Sequence, residues 1–514
     1  MVALGILLSR LLGLVRNRVF AHYFGTSDAA DAFNAAFRIP NFLQNLFGEG
    51  VLSASFIPVY AGLRAGGDDA EARRVAGAVA ALLAVVTSLL VLAGVLLTPW
   101  LIAVIAPGFE GAKREATIRL VRILFPGAGL LVLSAWCLGV LNSHRRFFLS
   151  YAAPVLWNLA IIATLLAFGT REGEYRLAEL TAWGSVIGSL LQFGVQLPTV
   201  ARLLKGLRPR LVRGSESVRA VLRNFGPVFV GRGVVQISAY VDTVLASLLP
   251  TGAVAGLAYA QVLYTLPVSL FGMSVSAAEL PAMSSAVGSE AERTDYLRRR
   301  LGAGLRQIAF FVVPSAMAFL ALGDVVAGAL YQSGAFTREM TVYVWGILAG
   351  SAVGLLASTM GRLYASTYYA LQDTRTPLRF AVLRVALTIA LGYLFALPLP
   401  RALGIDQRWG AAGLTASAGI AGWVEFVLLR RALNARIGAT GLPVALAARL
   451  WGAAALGAAV AWALRPVVPT AHPILAALVL LGVYGGIYFA CTDRLGVPEA
   501  GAVLQRLRFQ RQTS

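Results

Sequence analysis

Apolar residues fill this chain in long stretches, broken by short polar connections and by a few charges set inside the stretches themselves. A helix needs about 20 apolar residues to cross a bilayer. Stretches of that length run at about 2–23, 29–61, 75–105, 117–141, 150–169, 177–201, 221–248, 253–284, 302–330, 340–370, 377–398, 409–429, 443–464 and 472–492. They predict about fourteen transmembrane helices in an all-α polytopic membrane protein. The longest connections, about 202–220 and 285–301, hold under two dozen residues each, too few for a separate catalytic domain. The second of them, with Glu290, Glu292 and Arg298 to Arg300, is expected to be a short interfacial helix or a solvated run of charge.

Composition sharpens this picture. At 514 residues, 58% hydrophobic and 13% charged, with a mean hydropathy of +0.74, the chain is excluded from the soluble enzymes. Its 44 Lys and Arg against 24 acidic residues could suggest a nucleic-acid partner, but the placement of the cations argues otherwise. Counted over alternate connections and the tail, 24 fall on one side and eight on the other. That bias reports orientation, with both termini cytoplasmic and no nucleic acid implied. Cys137 and Cys491 lie far apart in apolar runs, and His22, His144 and His472 are scattered, so neither a disulfide framework nor a metal site is expected. Ser9, Arg10, Arg16 and Arg18 inside the first stretch mark it as a span and not a cleavable signal.

An internal repeat is visible. Leu46-Phe47-Gly48 followed by Pro58 returns as Leu270-Phe271-Gly272 followed by Pro281, and Thr26 returns as Thr251, at offsets of 223 to 225. A second echo, Ala135, Leu141 and Asn142 against Ala365, Leu371 and Gln372, has an offset of 230. These offsets suggest two six-helix lobes, 1–205 and 217–432, related by a pseudo-two-fold axis along the membrane normal. Two extra helices (443–493) and a basic cytoplasmic tail (494–514) would follow. Alternating-access transporters are commonly built from such repeats.

Twelve cations remain inside or at the ends of the spans once 32 loop and tail cations are subtracted from 44. An Arg at a helix centre costs about 2.5–3.5 kcal/mol on insertion scales, so each central one needs a partner or an aqueous cavity. Arg119, Arg122, Arg223, Arg306 and Arg449 lie near helix ends and can snorkel. Arg10, Arg16, Arg38, Arg232, Arg362 and Arg384 cannot be dismissed that way. In the first span Arg10, Gly13, Arg16 and Asn17 share an arc of about 120°. The second span adds Asp28, Asp31, Arg38, Gln44, Asn45 and Glu49 and is expected to break at Pro40 and Gly50. The seventh carries Arg232, Gln236 and Asp242. Net positive charge on these faces suits a phosphate or diphosphate, which Arg grips in a bidentate fork. The alternative is intramembrane ion pairing for folding alone, for example Asp31 with Arg38 or Arg232 with Asp242. Glu279 and Glu425 are weaker candidates that could equally be interfacial.

Ser9-Arg10-Leu11-Leu12-Gly13-Leu14-Val15-Arg16, Phe24-Gly25, Asp31-Ala32-Phe33, Arg38-Ile39-Pro40-Asn41 and Leu46-Phe47-Gly48-Glu49-Gly50 together resemble the opening of the MurJ (MviN) family. Ser55-Phe56-Ile57-Pro58, Ala106-Pro107-Gly108-Phe109, Gln236-Ile237-Ser238 and Gln372-Asp373-Thr374-Arg375-Thr376-Pro377 continue the likeness over most of the chain. The resemblance implies a bacterial inner-membrane flippase of the multidrug/oligosaccharidyl-lipid/polysaccharide exporter superfamily. Its cargo would be lipid II, the undecaprenyl-diphosphate-linked disaccharide pentapeptide, with two C-terminal helices forming a groove for lipid. It also implies cavity cations at Arg10 and Arg16 and functional acids at Asp31 and Glu49. Three departures stand out: Asn17 replaces an acid, Gln44 a cation, and Gln261-Val262 an Asp-Arg pair. Arg232 is a cation the family pattern lacks, expected to restore part of the diphosphate-binding charge.

The expected mechanism is therefore alternating access without bond making. No P-loop is present to use ATP, no cofactor is expected, and the drive would be the membrane potential or a coupling ion near Asp31, Glu49 or Asp242. Rival expectations are a sibling flippase for another polyprenyl-diphosphate-linked oligosaccharide, a cation antiporter for drugs, a polyprenyl-glycan polymerase or ligase, and a non-transporting scaffold acting with cell-wall synthesis proteins. A cationic cavity disfavours cationic drugs, and the outer connections lack the large loop with paired acids or histidines that an enzyme would want.

Overall fold

The computed structural model describes residues 2–47, 49–205, 215–468 and 472–501, and the side chains of all of these except 2–4, 49–51, 53, 54 and 226–239. The regular structure among the described residues is helical: α1 (Val2–Phe24), α2 (Asp28–Phe47), α3 (Glu49–Ala65), α4 (Asp69–Ile105), α5 (Gly111–Ser143), α6 (Phe147–Phe168), α7 (Glu174–Leu203), α8 (Glu216–Ser247) and α9 (Ala253–Pro267). A π-helical stretch, Val268–Met273, leads to α10 (Ser274–Ser284). Then come α11 (Glu290–Ala321), α12 (Gly323–Tyr331), α13 (Arg338–Ala370), α14 (Arg375–Ala396), α15 (Pro398–Ala402), α16 (Gly410–Ile437), α17 (Val444–Ala463) and α18 (Pro473–Arg494).

Two compact units divide the chain. Unit 1 takes 1–255 with 333–336, and unit 2 takes 256–332 with 337–514. Ten described helical segments are long and apolar enough to cross a membrane. Four other segments, α1, α2 with α3, α7 and α8, lie outside that group. They carry the polar residues that interrupt an apolar run, such as Arg10 and Arg16 in α1 and Gln192 and Gln196 in α7, and all belong to unit 1. In unit 1, α5 packs against α2, α3, α4 and α7, and α6 joins α1 to α7. Trp136, Phe56, Tyr60 and Cys137 are buried where α3, α4 and α5 meet. In unit 2, α13 is flanked by α11 and α16, and α17 with α18 forms a pair leaning on α11 and α12.

Two sequence expectations need correction. The second span is not broken at Pro40 or Gly50, which both lie within helices, and residue 48 lies outside the described residues. The charged connection 285–301 is not a separate helix. Ser289 caps α11 in a reciprocal capping box with Glu292, and the helix then runs unbroken to Ala321. With no Pro or Gly from Glu290 to Leu301, the charged turns run on into the span, and Asp295 accepts from Arg298 and Arg299 along its side.

Local geometry gives the repeat motifs a physical meaning. Leu46-Phe47 closes the described part of α2, with Gly48 outside the described residues, while Leu270-Phe271-Gly272 sits inside the π-helical stretch. The second copy therefore marks a local departure from α-helical pairing in a spanning segment, which is tolerated where the freed backbone faces protein or water. The long helices α5 and α13 end alike. Arg146 N–H donates to Leu141 O and Arg145 N–H to Asn142 O, just as Asp373 N–H donates to Tyr368 O and Gln372 N–H to Tyr369 O. Arg145 and Gln372 both have φ of 58°, the left-handed residue of a Schellman stop. The two stops match at an offset of 372 − 145 = 227, three less than the 230 of the sequence echo.

Asp373 follows that stop and opens α14. Its carboxylate accepts from the N–H groups of Arg375 and Thr376 at 3.0 Å each, from Thr376 Oγ1 at 2.7 Å and from Arg436 Nη1 at 2.7 Å. Donation from Thr376, ahead of the Arg436 charge, holds this carboxyl well below the ordinary carboxylate range.

One close backbone approach in unit 2 is glycine on glycine. A Cβ added at Gly354 in α13 would lie 2.4 Å from Gly419 Cα in α16, and one at Gly419 would lie 2.7 Å from Gly354 N. Small residues at such crossings let helices pack without a hydrophobic drive from water.

Two predictions follow from this packing. Gly354→Val should destabilise unit 2 by about 1–3 kcal/mol, read as a lower melting temperature of the purified chain in detergent. Gly361→Ala, on the same helix with nothing within 4 Å of the added carbon, should leave it unchanged. Asp373→Ala should cost about 1 kcal/mol through the lost cap. Because the folded carboxyl titrates below its unfolded value, that stabilisation is complete above the unfolded pKa and declines as pH falls. The gap in melting temperature between wild type and Asp373→Ala should therefore narrow from about pH 6 to about pH 3.

Candidate functional site

At the start of α2, two acids face a cation from α5. Lys113 Nζ lies 2.9 Å from Asp28 Oδ1 and 2.6 Å from Asp31 Oδ2, and rests 4.4 Å from the Phe109 ring centroid. Asp31 is only 1% exposed, yet its carboxylate also accepts the N–H of Gly252 on Oδ2 and of Ala255 on Oδ1, each at 2.8 Å. Those donors open α9, so a side chain of α2 caps a helix more than 200 residues later, with its negative charge at the positive end of the dipole. Thr251 Oγ1 adds a 2.8 Å bond to Asp28 Oδ1. Gly252 is required here: its φ is 93°, and a Cβ would stand 2.9 Å from Thr26 O. Asp31 thus pairs with Lys113, not with Arg38.

Farther along α2, Arg38 Nη1 donates to Thr243 Oγ1 of α8, and Tyr240 O–H donates to Arg38 O at 2.8 Å. Asp242 is the carboxylate that acts electrostatically on Arg38. These contacts fasten α2 to α8. Other charges within spans also find partners: Arg384 with Glu425 at 3.1 Å, Arg300 with Glu279 at 2.8 Å, and Arg119 with Glu179 at 2.8 Å.

A cavity of about 700 Å³ lies within unit 1, lined by Ser9, Gly13 and Arg16 of α1, Gln44 and Asn45 of α2, Ser134 of α5, Trp157 and Asn158 of α6 and Gln192 of α7, among others. Arg16 is held from two sides. Its Nη2 and Nε donate to Asn17 Oδ1 at 2.9 and 3.3 Å, and its guanidinium carbon sits 4.9 Å from the Trp157 ring centroid. Trp157 is fixed in turn by stacking on Phe37 and by donating Nε1 to Ser185 Oγ at 3.2 Å. Across the cavity, Gln192 and Gln196 both donate to Ser134 Oγ, at 3.1 and 2.6 Å. No carboxylate is present among the described residues of this lining. A guanidinium among neutral amides and one indole can bind an anion while offering hydrogen bonds to hydroxyl and amide groups.

Of the residues singled out from sequence, the cavity brings together Ser9, Gly13, Arg16, Gln44 and Asn45. Arg10, on the same helix, is exposed and outside this lining. Asp31, Arg38 and Asp242 sit in the packing contacts just described. The side chains of Glu49, Arg232 and Gln236 lie outside the described residues. Ser134, Trp157, Asn158 and Gln192 were not anticipated. The available signal was Gln192 and Gln196 four residues apart within an apolar run, which places both amides on one face of α7.

The family model described as "Lipid II flippase MurJ" matches residues 20–481. A probable lipid II flippase MurJ of Rhizobium meliloti is 33% identical, covering 97% of this chain and 93% of its own length. A lipid II flippase MurJ of Burkholderia cenocepacia is 32% identical, covering 84% and 82%. Among solved structures, one described as "Lipid II flippase MurJ, inward closed conformation" aligns with a TM-score of 0.78 at 23% identity, over 96% of this chain and 98% of its own. An inward-facing MATE-family transporter of the MOP superfamily aligns at 0.67 and 17% identity, over 83% and 95%. Both share the all-helical fold. The chain is a polytopic inner-membrane protein and belongs to the lipid II flippase MurJ family.

Proposed function

We propose that this chain moves lipid II from the cytoplasmic to the periplasmic leaflet by alternating access, with both termini in the cytoplasm. The observation that carries the reading is the cavity of unit 1, where Arg16 stands among amides with no described carboxylate in the lining. An ionised phosphate cannot cross hydrocarbon unaided, because stripping its water costs tens of kcal/mol in the Born limit. A wet, cationic cavity replaces that water with fixed N–H donors. The diphosphate would engage Arg16, with Arg10 and Arg232 as further cations. The sugars and peptide would meet Asn45, Asn158, Gln192 and the Trp157 face, and the polyprenyl tail would remain in lipid beside α17 and α18. No bond is made or broken. The drive would be the membrane potential, about 2.3 kcal/mol per charge per 100 mV, with or without a coupling ion near Asp31, Glu49 or Asp242.

In this reading the cap that Asp31 places on α9 is an interaction the transport cycle must weaken. It joins a buried carboxylate to one ammonium and two backbone donors, so it favours the conformation that has it.

In a bacterium depleted of its own lipid II flippase, the wild-type chain should restore growth, while Arg10→Ala, Arg16→Ala and Arg232→Ala at matched expression should fail. Arg16→Lys should rescue weakly, since an ammonium keeps the charge but not the fork. A well-inserted wild type that gives no rescue would reject lipid II as cargo in that host. Rescue by Arg232→Ala would remove Arg232 alone from the proposal. For the cap, a cysteine replacing buried Ala253 in a background lacking Cys137 and Cys491 should react several-fold faster with an impermeant thiol reagent when Asp31 is changed to Asn. An unchanged rate would show that the cap does not bias the cycle.

A further inference from the structure

Unit 2 contains a second arrangement of cations that the transport reading does not use. Asp324, in the first turn of α12, is 2% exposed and receives two guanidinium groups. Arg338 Nη2 donates to Oδ2 at 2.8 Å, while Arg465 donates Nη2 to Oδ1 at 2.8 Å and Nη1 to Oδ2 at 3.3 Å. Two cations share one acid, which leaves the cluster with a net charge of +1. Both arginines line a cavity of about 360 Å³ whose remaining wall is largely apolar, including Val468, Ala476 and Leu480.

Each arginine is held in place without being used up. Arg465 lies 4.4 Å from the Trp462 ring centroid and gives Nη2 to Ala321 O at 3.1 Å, and Trp462 Nε1 donates to the same carbonyl at 2.8 Å. The Arg338 side chain is 59% exposed with one N–H group spent on Asp324, so most of its donors remain for a ligand. Trp462 lies in the last turn of one apolar helix, Arg465 just follows it, and Pro473 begins the next. Trp and Arg at such positions sit at the level of lipid headgroups. The cluster adjoins the C-terminal end of α11, whereas Arg298 to Arg300 lie near its start, so the two face opposite leaflets.

We propose that this pocket holds the phosphate of an anionic membrane lipid in the leaflet opposite Arg298 to Arg300, with the lipid's chains against the apolar wall formed with α18. A fork of guanidinium donors beside aliphatic side chains matches a phosphodiester attached to hydrocarbon better than it matches a free ion. The bound headgroup would tie α12 and α13 to the α17–α18 pair. Lipid II transport is not assumed, and the test reads binding and not flipping.

The full chain in neutral detergent would be titrated with phosphatidylglycerol or phosphatidylcholine and examined by native mass spectrometry, with and without millimolar inorganic phosphate. Phosphatidylglycerol adducts should exceed phosphatidylcholine adducts, fall several-fold in Arg338→Gln, and fall further in Arg338→Gln/Arg465→Gln. Arg338→Lys should retain part of the binding. If the double variant does not fold, the exposed Arg338→Gln decides alone. Equal retention by wild type and folded Arg338→Gln would overturn the site. Displacement of the lipid by inorganic phosphate would overturn the lipid assignment and make free phosphate the occupant.

Discussion

Asp31 is almost wholly buried in a protein that spans hydrocarbon, and one ammonium and two backbone N–H groups meet its two oxygens. The same requirement, that a charge taken out of water must be answered, orders the remaining polar structure. Where the answer is an opposite charge, as with Arg384 and Glu425 or Arg300 and Glu279, the pair joins two helices and little field remains for a ligand. Where the answer is a set of neutral dipoles, the cation's field survives. Arg16 has contacts of this second kind, with the Asn17 amide and the Trp157 ring.

Holding such groups in register requires a rigid frame. Helices in lipid have no hydrophobic drive toward one another, so backbones must approach closely, and the Gly354–Gly419 crossing does this for α13 and α16. The matching Schellman stops of α5 and α13 set the ends of the long helices, and the second Leu-Phe-Gly copy lies in the π-helical stretch of its span. Motifs that looked like signatures of function in the sequence prove to be instructions for the backbone. Gln372-Asp373-Thr374-Arg375-Thr376-Pro377 is a left-handed stop followed by a carboxylate cap.

Helix content and approximate spans were legible because apolar length is a one-dimensional property. Breaks were less so. Pro40 looks like an interruption, but α2 continues through it, and the position of a break depends on what the freed backbone meets in three dimensions. The site was half legible for a related reason. Charged residues in apolar runs announce themselves, which is how Arg16 was found. Trp157, Asn158 and Ser134 look like ordinary span residues until α1, α5, α6 and α7 place them around one cavity. Lys113 looked like a loop cation. Only the fold shows that it neutralises Asp31 and so takes that acid away from Arg38.

The departures from the family pattern can be reconsidered with that geometry. Asn17 stands where the resemblance implies an acid, and its Oδ1 still accepts from Arg16 at 2.9 and 3.3 Å. The amide keeps the positioning bond but does not cancel the guanidinium charge. Gln44, where a cation is implied, lines the same cavity. Losing one acid (−1) and one cation (+1) leaves the sum unchanged, and the same holds for Gln261-Val262 in place of an Asp-Arg pair. The substitutions therefore preserve net charge, and Arg16 remains a cation of the cavity lining. On this arithmetic Arg232 adds a charge to the family's sum, and its proposed role is to strengthen a site that α1 already forms.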